Sequence, residues 1–168
     1  QSGGQHVEQT THVFDVCRYL LQANAVSVHA VAAKGGMTDK PNYDIEDISF
    51  VNVTFDNGTI ANIQSACCLS GWGRVKMEVF GRDLVADVTQ GRAIFTTGPE
   101  QTEEIKSTGN PYETEDRIFI DAVKSGDGSE IRAPYADAVE TQKIMIAATR
   151  SMDTGKLVFI QNDQLVIA

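Results

Sequence analysis

The sequence has 168 residues, is 42% hydrophobic and carries a formal net charge of −9 at pH 7. A chain of this length buries one sizeable core, so we expect a single domain spanning residues 1–168. The acidic balance argues against nucleic acid as a partner, because no surplus of Lys and Arg exists to replace phosphate counterions. No apolar stretch approaches the ~20 residues that span a bilayer and no signal-peptide pattern opens the chain, which predicts no membrane partner and a cytoplasmic location.

The three cysteines, Cys17, Cys67 and Cys68, are odd in number and lie in apolar segments. This favours reduced core thiols over a disulfide framework or a zinc site. No spacing of His, Cys and carboxylate residues is typical of a metal site, and no G-x-G-x-x-G or Walker loop is present. The chain by itself therefore predicts neither a metal site nor a cofactor site.

The first half of the chain alternates helical and extended patterns. Apolar residues at spacings of three and four predict one amphipathic helix over residues 7–22. Alternating residues predict a strand over 25–33, and a polar loop with Gly35, Gly36 and Pro41 follows. Two β-rich runs over 48–55 and 59–67 flank Asn57-Gly58, a strong hairpin signal.

The second half continues as an antiparallel meander and ends in helices. Strands are predicted over 74–80, 84–88 and 92–97, and the polar stretch 98–111 is predicted to be a mobile loop. A helix that ends at Gly126, a second that begins at Pro134 and stops at Gly155, and a last strand over 157–160 follow. The order predicts an α+β domain, a mostly antiparallel sheet with helices packed on one face and the other face open for oligomerisation.

The opening segment holds the residues best suited to chemistry. Gly3 and Gly4 lead into the predicted helix, where Glu8 and His12 are four residues apart and therefore on one face. A carboxylate beside an imidazole fixes its tautomer, as a general acid or base requires. The alternative is an exposed ion pair of little consequence. His6 and His29 are weaker candidates.

The run G-G-Q-H-V-E-Q-T-T-H-V-F-D resembles the signature that opens the second domain of the Gfo/Idh/MocA oxidoreductases, G-G-x-x-x-D-x-G-x-H-x-x-D. The resemblance continues in F-D-N-G-T at 55–59, V-F-G at 79–81 and F-I-D-A-V at 119–123. It covers nearly the whole chain and indicates the C-terminal domain of this family. The family's preceding Rossmann domain, with its nucleotide-binding glycines and a Glu-Lys-Pro lysine, has no counterpart here, since Asp39-Lys40-Pro41 follows the signature and is interpreted as a turn.

The resemblance implies a function and assigns residues to it. His12 is similar to the family's active-site histidine, Glu8 stands where many members have Asp, and Thr10 replaces the usual Gly. Gly4 and Thr11 are the implied substrate-binding residues, whereas Asp15 is expected to pair with Arg18. The implied activity is NAD- or NADP-dependent oxidation of a hydroxyl of a sugar, polyol or related carbohydrate. The absent Rossmann domain would bind the dinucleotide, so the isolated chain is expected to be inactive and to form a homodimer or homotetramer.

Two other functions remain open. Some relatives use transient oxidation to cleave glycosidic bonds, which makes a nicotinamide-dependent glycoside hydrolase the enzymatic alternative. A non-enzymatic oligomerisation or ligand-sensing domain is the other, because one sheet face is expected to lack helices. Position 1 is Gln rather than Met, so we expect the chain to begin at a processing point or at the edge of a fragment.

Overall fold

The computed structural model describes residues 3–37, 39–69 and 71–168; Gln1 and the expectation attached to it lie outside them. The described residues form two compact units, one made of the residues before Gly71 together with Ala133–Ala168, the other of Gly71–Arg132. The elements in chain order are α1 (Gln5–Glu8), α2 (Thr11–Leu21), β1 (Ala25–Ala33), β2 (Ile48–Phe55), β3 (Ile60–Ala66), β4 (Lys76–Gly81), β5 (Leu84–Thr89), β6 (Arg92–Gly98), β7 (Gln101–Lys106), α3 (Pro111–Ser125), α4 (Tyr135–Thr154), β8 (Val158–Gln161) and β9 (Gln164–Ile167).

The first unit is an antiparallel sheet whose described strands follow the order β3-β2-β1-β8-β9. Helix α4 packs against β1 and β8, and α2 packs against α4 and β3. One face of each strand is buried beneath these helices because apolar residues alternate along β1, β2 and β3. The core combines side chains from both layers: Phe14, Val28, Val51, Val53, Phe55, Ile63, Ile144, Met145 and Val158.

The second unit contains a meander in which β4, β5, β6 and β7 pair antiparallel in sequence order. Helix α3 begins after Asn110, whose side-chain oxygen accepts the Tyr112 backbone N–H at 3.1 Å. It ends at Gly126, which has φ 74°. None of the described residues of α3 is buried, so its apolar side chains, including Phe119 and Val123, are largely exposed.

The predicted fold class is confirmed, and the structure refines the sheet. The expected meander is divided between two sheets, since β2 and β3 belong to the first and β4 to the second. The hairpin around Asn57-Gly58 is present, with Gly58 at φ 83° and its N–H bonded to the Phe55 carbonyl at 3.0 Å. Helix α4 lies where predicted, between Pro134 and Gly155.

Two predictions about strands were wrong. The stretch 98–111, predicted as a mobile loop, contains β7, which pairs with β6 although all of its residues are exposed. Its polar sequence lacks the apolar alternation that marks a half-buried strand. The chain also continues past the predicted last strand through a tight turn at Asn162 and Asp163, both with positive φ, into β9.

One face of the first sheet is turned away from α2 and α4. Val31 and Phe50 are opposite each other on neighbouring strands and are exposed by 53% and 42%. Beside them the Asn62 side-chain amide donates to Asn52 Oδ1 at 2.8 Å, and Gln64 donates to Asn62 Oδ1 at 3.0 Å. This face is therefore mixed, with apolar side chains at the edge of an amide ladder. No described helix is long and apolar enough to cross a bilayer.

Candidate functional site

The segment that carries the predicted site is two helices rather than one. Helix α1 ends at Glu8, and the Thr10 N–H bonds to the Gln5 carbonyl at 3.1 Å, five residues back, which closes a turn wider than an α-helical one. The Thr10 carbonyl then accepts the N–H groups of Val13 and Phe14, which starts α2. The prediction of a single helix over 7–22 was wrong, because this wide turn interrupts the helix at two residues that its apolar pattern spans.

The interruption places Glu8 and His12 on different helices. Glu8 is the last residue of α1 and His12 lies in the first turn of α2, and both are exposed. Among the described residues no hydrogen bond or ion pair joins them, so the expected contact between neighbours on one helical face is not formed. Thr10 between them is buried at 7% exposure, and Thr11 is half-buried at the start of α2.

Gly4, predicted to bind substrate, is a buried residue packed against a carboxylate. It precedes α1 with φ 92° and ψ 171°, a conformation open almost only to glycine. A Cβ placed on Gly4 would lie 2.5 Å from Glu46 Oε1 and nearer still to Oε2. The position therefore requires glycine for two independent reasons, and the space beside it is filled by Glu46 rather than open to a ligand.

The buried histidine of this segment is His6, which the sequence pattern ranked below His12. His6 is 1% exposed, and its Nδ1 lies 2.6 Å from Glu46 Oε1. Its Nε2 lies 3.1 Å from Thr149 Oγ1, and the Thr149 hydroxyl donates to the Met145 carbonyl at 3.0 Å. These contacts join α1, the segment before β2 and α4, which are 40 and 143 residues from His6 in sequence. No local pattern links residues that far apart.

Glu46 is held on both its side chain and its backbone. Burial opposes ionisation of its carboxyl group, yet the hydrogen bond from His6 and bonds from backbone N–H groups outweigh burial and lower its pKa. The Cys67 thiol donates to the Glu46 carbonyl at 3.1 Å, and the Tyr43 hydroxyl lies 2.6 Å from Cys67 Sγ. The contact with Cys67, followed by desolvation, raises the pKa of Tyr43.

A second buried cluster ties α2 to α4. Arg18 is 8% exposed and donates to both carboxylate oxygens of Asp137, at 2.9 and 3.1 Å, and to Thr141 Oγ1 at 3.1 Å. The Thr141 hydroxyl in turn donates to Asp15 Oδ1 at 2.9 Å. The expected pair between Asp15 and Arg18 is thus replaced by contacts of each residue with α4, because both side chains face that helix.

The lysine segment and the cysteines considered in the sequence have no arrangement that indicates chemistry. Asp39-Lys40-Pro41 lies in a turn, as predicted, with the Lys40 N–H bonded to the Met37 carbonyl at 3.1 Å. The three cysteines are free thiols, but only Cys17 and Cys67 are partly buried, so the expectation of a core thiol was wrong for the exposed Cys68. Burial raises the pKa of Cys17. No described group of three His, Cys, Asp or Glu side chains converges as a metal site.

The fold and this segment define a class: an α+β domain in which a glycine pair leads into a short helix beside a helix-covered antiparallel sheet. The GFO/IDH/MocA C-terminal domain family matches residues 1–85, just over half of the chain. The chain therefore belongs to the C-terminal domains of the GFO/IDH/MocA oxidoreductases, as its resemblance implied.

Individual relatives agree with this assignment. The chain is 27% identical to the uncharacterized oxidoreductase YrbE of Bacillus subtilis (strain 168), over 98% of this chain and 50% of that protein. Two solved structures share its fold at 17% identity. One is a levoglucosan dehydrogenase in complex with NADH and L-sorbose, with a TM-score of 0.78 over 94% of this chain and 50% of the other. The second is the aldose-aldose oxidoreductase of Caulobacter crescentus complexed with glycerol, with a TM-score of 0.77 over 93% and 47%. The chain spans about half the length of these proteins.

Proposed function

We propose that this chain is the substrate-side domain of an NAD- or NADP-dependent oxidoreductase that acts on a hydroxyl of a sugar, polyol or related carbohydrate. The observation that carries the proposal is the contrast within the signature segment. His6 and Thr10 are buried and fix the backbone, whereas Glu8 and His12 are exposed on either side of the break between α1 and α2. Rigid backbone with exposed ionisable side chains is an arrangement that suits a binding surface.

The segment does not fit the pyrophosphate of a dinucleotide. A phosphate-binding loop needs glycines whose backbone N–H groups face an anion at the start of a helix. The space beside Gly4 is already occupied by the negatively charged Glu46 carboxylate, and α1, with only four residues, is too short to form such a site. We infer that a separate nucleotide-binding domain holds the cofactor, as in the family, and that when bound it accepts a hydride from the carbon that carries the hydroxyl.

The residues of this chain would handle the proton and orient the substrate. His12 would remove the hydroxyl proton as a general base, through whichever ring nitrogen faces the substrate. Glu8, across the break, would orient the substrate by accepting a hydrogen bond from a neighbouring hydroxyl. The backbone near Thr11, at the start of α2, would contact the substrate and limit its position on that side. The proposal includes a cytoplasmic location and assembly as a homodimer or homotetramer.

The proposal is tested with the full-length protein and a panel of sugars and polyols. Reduction of NAD or NADP, followed by absorbance, is expected with at least one panel member, and the product is expected to be two electrons more oxidised than the substrate. Absence of any cofactor reduction across the panel would contradict a dehydrogenase.

Product analysis separates the enzymatic alternatives. A nicotinamide-dependent glycoside hydrolase releases two sugars from a glycoside with no net change in the cofactor, whereas a dehydrogenase accumulates reduced cofactor and ketone or lactone. A non-enzymatic sensor would bind a carbohydrate without either product. Glu8 and His12 favour an enzyme over a non-enzymatic sensor, since a sensor has no need of a proton acceptor.

A further inference from the structure

We propose that His6 and Glu46 are positioning residues: with Thr149 they fix α1 in place and thereby set where Glu8 stands relative to His12. The expected effect on turnover rests on the proposed function, whereas the effect on the position of α1 rests on the structure alone. Neither His6 nor Glu46 touches the exposed surface on which Glu8 and His12 lie, so they act through the backbone.

Helix α1 is too short to hold its own position. A helix of four residues makes too few internal hydrogen bonds to offset the entropy of ordering its backbone. The backbone bonds at its ends run from the N–H groups of Val7 and Glu8 to the Gly4 carbonyl, and from those of Gln9 and Thr10 to the Gln5 carbonyl. Its orientation must therefore come from contacts with other elements.

Among the described residues, the side-chain polar contacts of α1 with distant elements converge on His6. One ring nitrogen meets Glu46 at 2.6 Å and the other meets Thr149 at 3.1 Å, which fixes the ring plane between two elements. The Glu46 carboxylate also packs against Gly4, the residue before α1, so it contacts both the entrance of the helix and the ring of His6. Glu8 is two residues further along the same short helix.

Glu46 is itself held in place by contacts of its backbone and of its neighbour Asp47. Its carbonyl accepts the Cys67 thiol, and the Cys67 N–H bonds to the neighbouring Asp47 carbonyl at 2.9 Å. Gly4 leaves the space that the Glu46 carboxylate occupies, because any larger residue at this position would collide with the carboxylate. The contacts form a continuous path from Cys67, directly after β3, through Glu46 and His6 to Glu8.

The mechanical part is tested in this chain by amide hydrogen exchange. Glu46→Leu is expected to speed exchange at Val7, Glu8 and Gln9 by about 10-fold or more, while α4 amides keep their rates. Glu46→Gln keeps an acceptor for His6 and is expected to show a smaller increase. The matched control is Ser151→Ala, which removes a fully buried hydroxyl of α4 that bonds β1 through the Ala30 N–H and makes no hydrogen bond to α1 among the described residues.

The control separates positioning from general stability. Equal exchange at α1 in Glu46→Leu and Ser151→Ala would overturn the proposal. If Glu46→Leu does not fold, Thr149→Val, which keeps the volume and removes the hydroxyl from His6 Nε2, serves in its place with the same expected pattern.

The kinetic part is tested in the full-length protein with the substrate found above. Glu46→Leu is expected to lower kcat by about 10- to 100-fold, as small misplacements of reacting groups do, with the KM for the dinucleotide unchanged and partial recovery in Glu46→Gln. Unchanged kcat in Glu46→Leu would overturn the kinetic part. If the wild-type protein reduces no cofactor, the proposed function fails, and the exchange experiment still decides whether His6 and Glu46 position α1.

Discussion

The carboxylate of Glu46 occupies the space where a side chain on Gly4 would stand. A Cβ at Gly4 would lie 2.8 Å from Glu46 Cδ and closer to both carboxylate oxygens. Glu46 in turn meets the ring of His6, two residues after Gly4. The glycine of the signature thus serves a packing role in this chain, and its conformation and its neighbour set the path of the backbone into α1.

Replacement of Gly4 by Ala is expected to destabilise the chain more than φ strain alone. The φ of 92° costs about 1–3 kcal/mol for a residue with a side chain, and displacement of Glu46 adds to it. Gly35→Ala is the matched control, because Gly35 has φ 100° but no atom within 4 Å of the added Cβ. Urea unfolding of both variants measures the difference. Equal losses of unfolding free energy in the two variants would show that displacement of Glu46 does not destabilise the chain.

The pair of His6 and Glu46 predicts a specific loss of stability in acid. The pKa of Glu46 is lowered in the folded chain, so its contribution is fully present above its ordinary value of about 4.3 and is lost as pH falls to the folded value and below. Glu46→Gln is expected to be less stable than the wild type at pH 7, by about 1–3 kcal/mol. The difference in unfolding free energy between the wild type and Glu46→Gln is expected to narrow between about pH 5 and pH 3. Urea unfolding midpoints across this range measure it, and parallel curves would contradict the assignment.

Two ion pairs of α4, Arg18 with Asp137 and Lys143 with Asp163, are expected to contribute unequally to the free energy of unfolding. Asp137→Ala leaves the guanidinium of Arg18 buried without its carboxylate and is expected to cost about 1–3 kcal/mol of unfolding free energy. Asp163→Ala removes the exposed partner of Lys143 and is expected to cost less than about 1 kcal/mol. Thermal or urea unfolding compares them. A larger loss from Asp163→Ala would reverse the ranking that burial gives.

The face of the first sheet that is turned away from α2 and α4 is expected to form the contact between subunits. Phe50 and the facing Val31 are exposed, so Phe50→Glu is expected to convert an oligomer of the chain into monomers. Tyr135→Glu, at an aromatic residue 87% exposed on α4, is the control and is expected to leave the oligomer intact. Light scattering at micromolar concentration measures both. A wild-type monomer would remove this interface.

The sequence predicts those parts of the fold that depend on local patterns. The hairpin at Gly58 and the ends of α3 and α4 follow from glycine and proline positions, which act over a few residues. Strand β7 has no such pattern, because it is exposed along its length and is held by pairing with β6. The turn at Asn162-Asp163 carried a usable signal, since both residue types tolerate positive φ.

The candidate site was only partly accessible from the sequence. The periodicity of residues 7–22 continues across Thr10, so it gives no sign of the break that separates Glu8 from His12. His6 gained its role from Glu46 and Thr149, which only the folded chain brings to it. Contacts between residues 40 or more positions apart leave no trace in a periodic pattern, whereas the motif around His12 is local and was visible.

In the proposed reaction His12 is the group that moves the substrate proton. In the full-length protein His12→Asn is expected to lower turnover by about 10²- to 10⁴-fold, the usual contribution of a general base, with folding and dinucleotide affinity unchanged. Glu8→Gln is expected to have a smaller effect, since it removes a charge but keeps a hydrogen-bond acceptor. Steady-state kinetics of both variants with the substrate identified above is the most direct measurement. A fall of that size in His12→Asn alone is the predicted result, and wild-type turnover in His12→Asn would contradict the account.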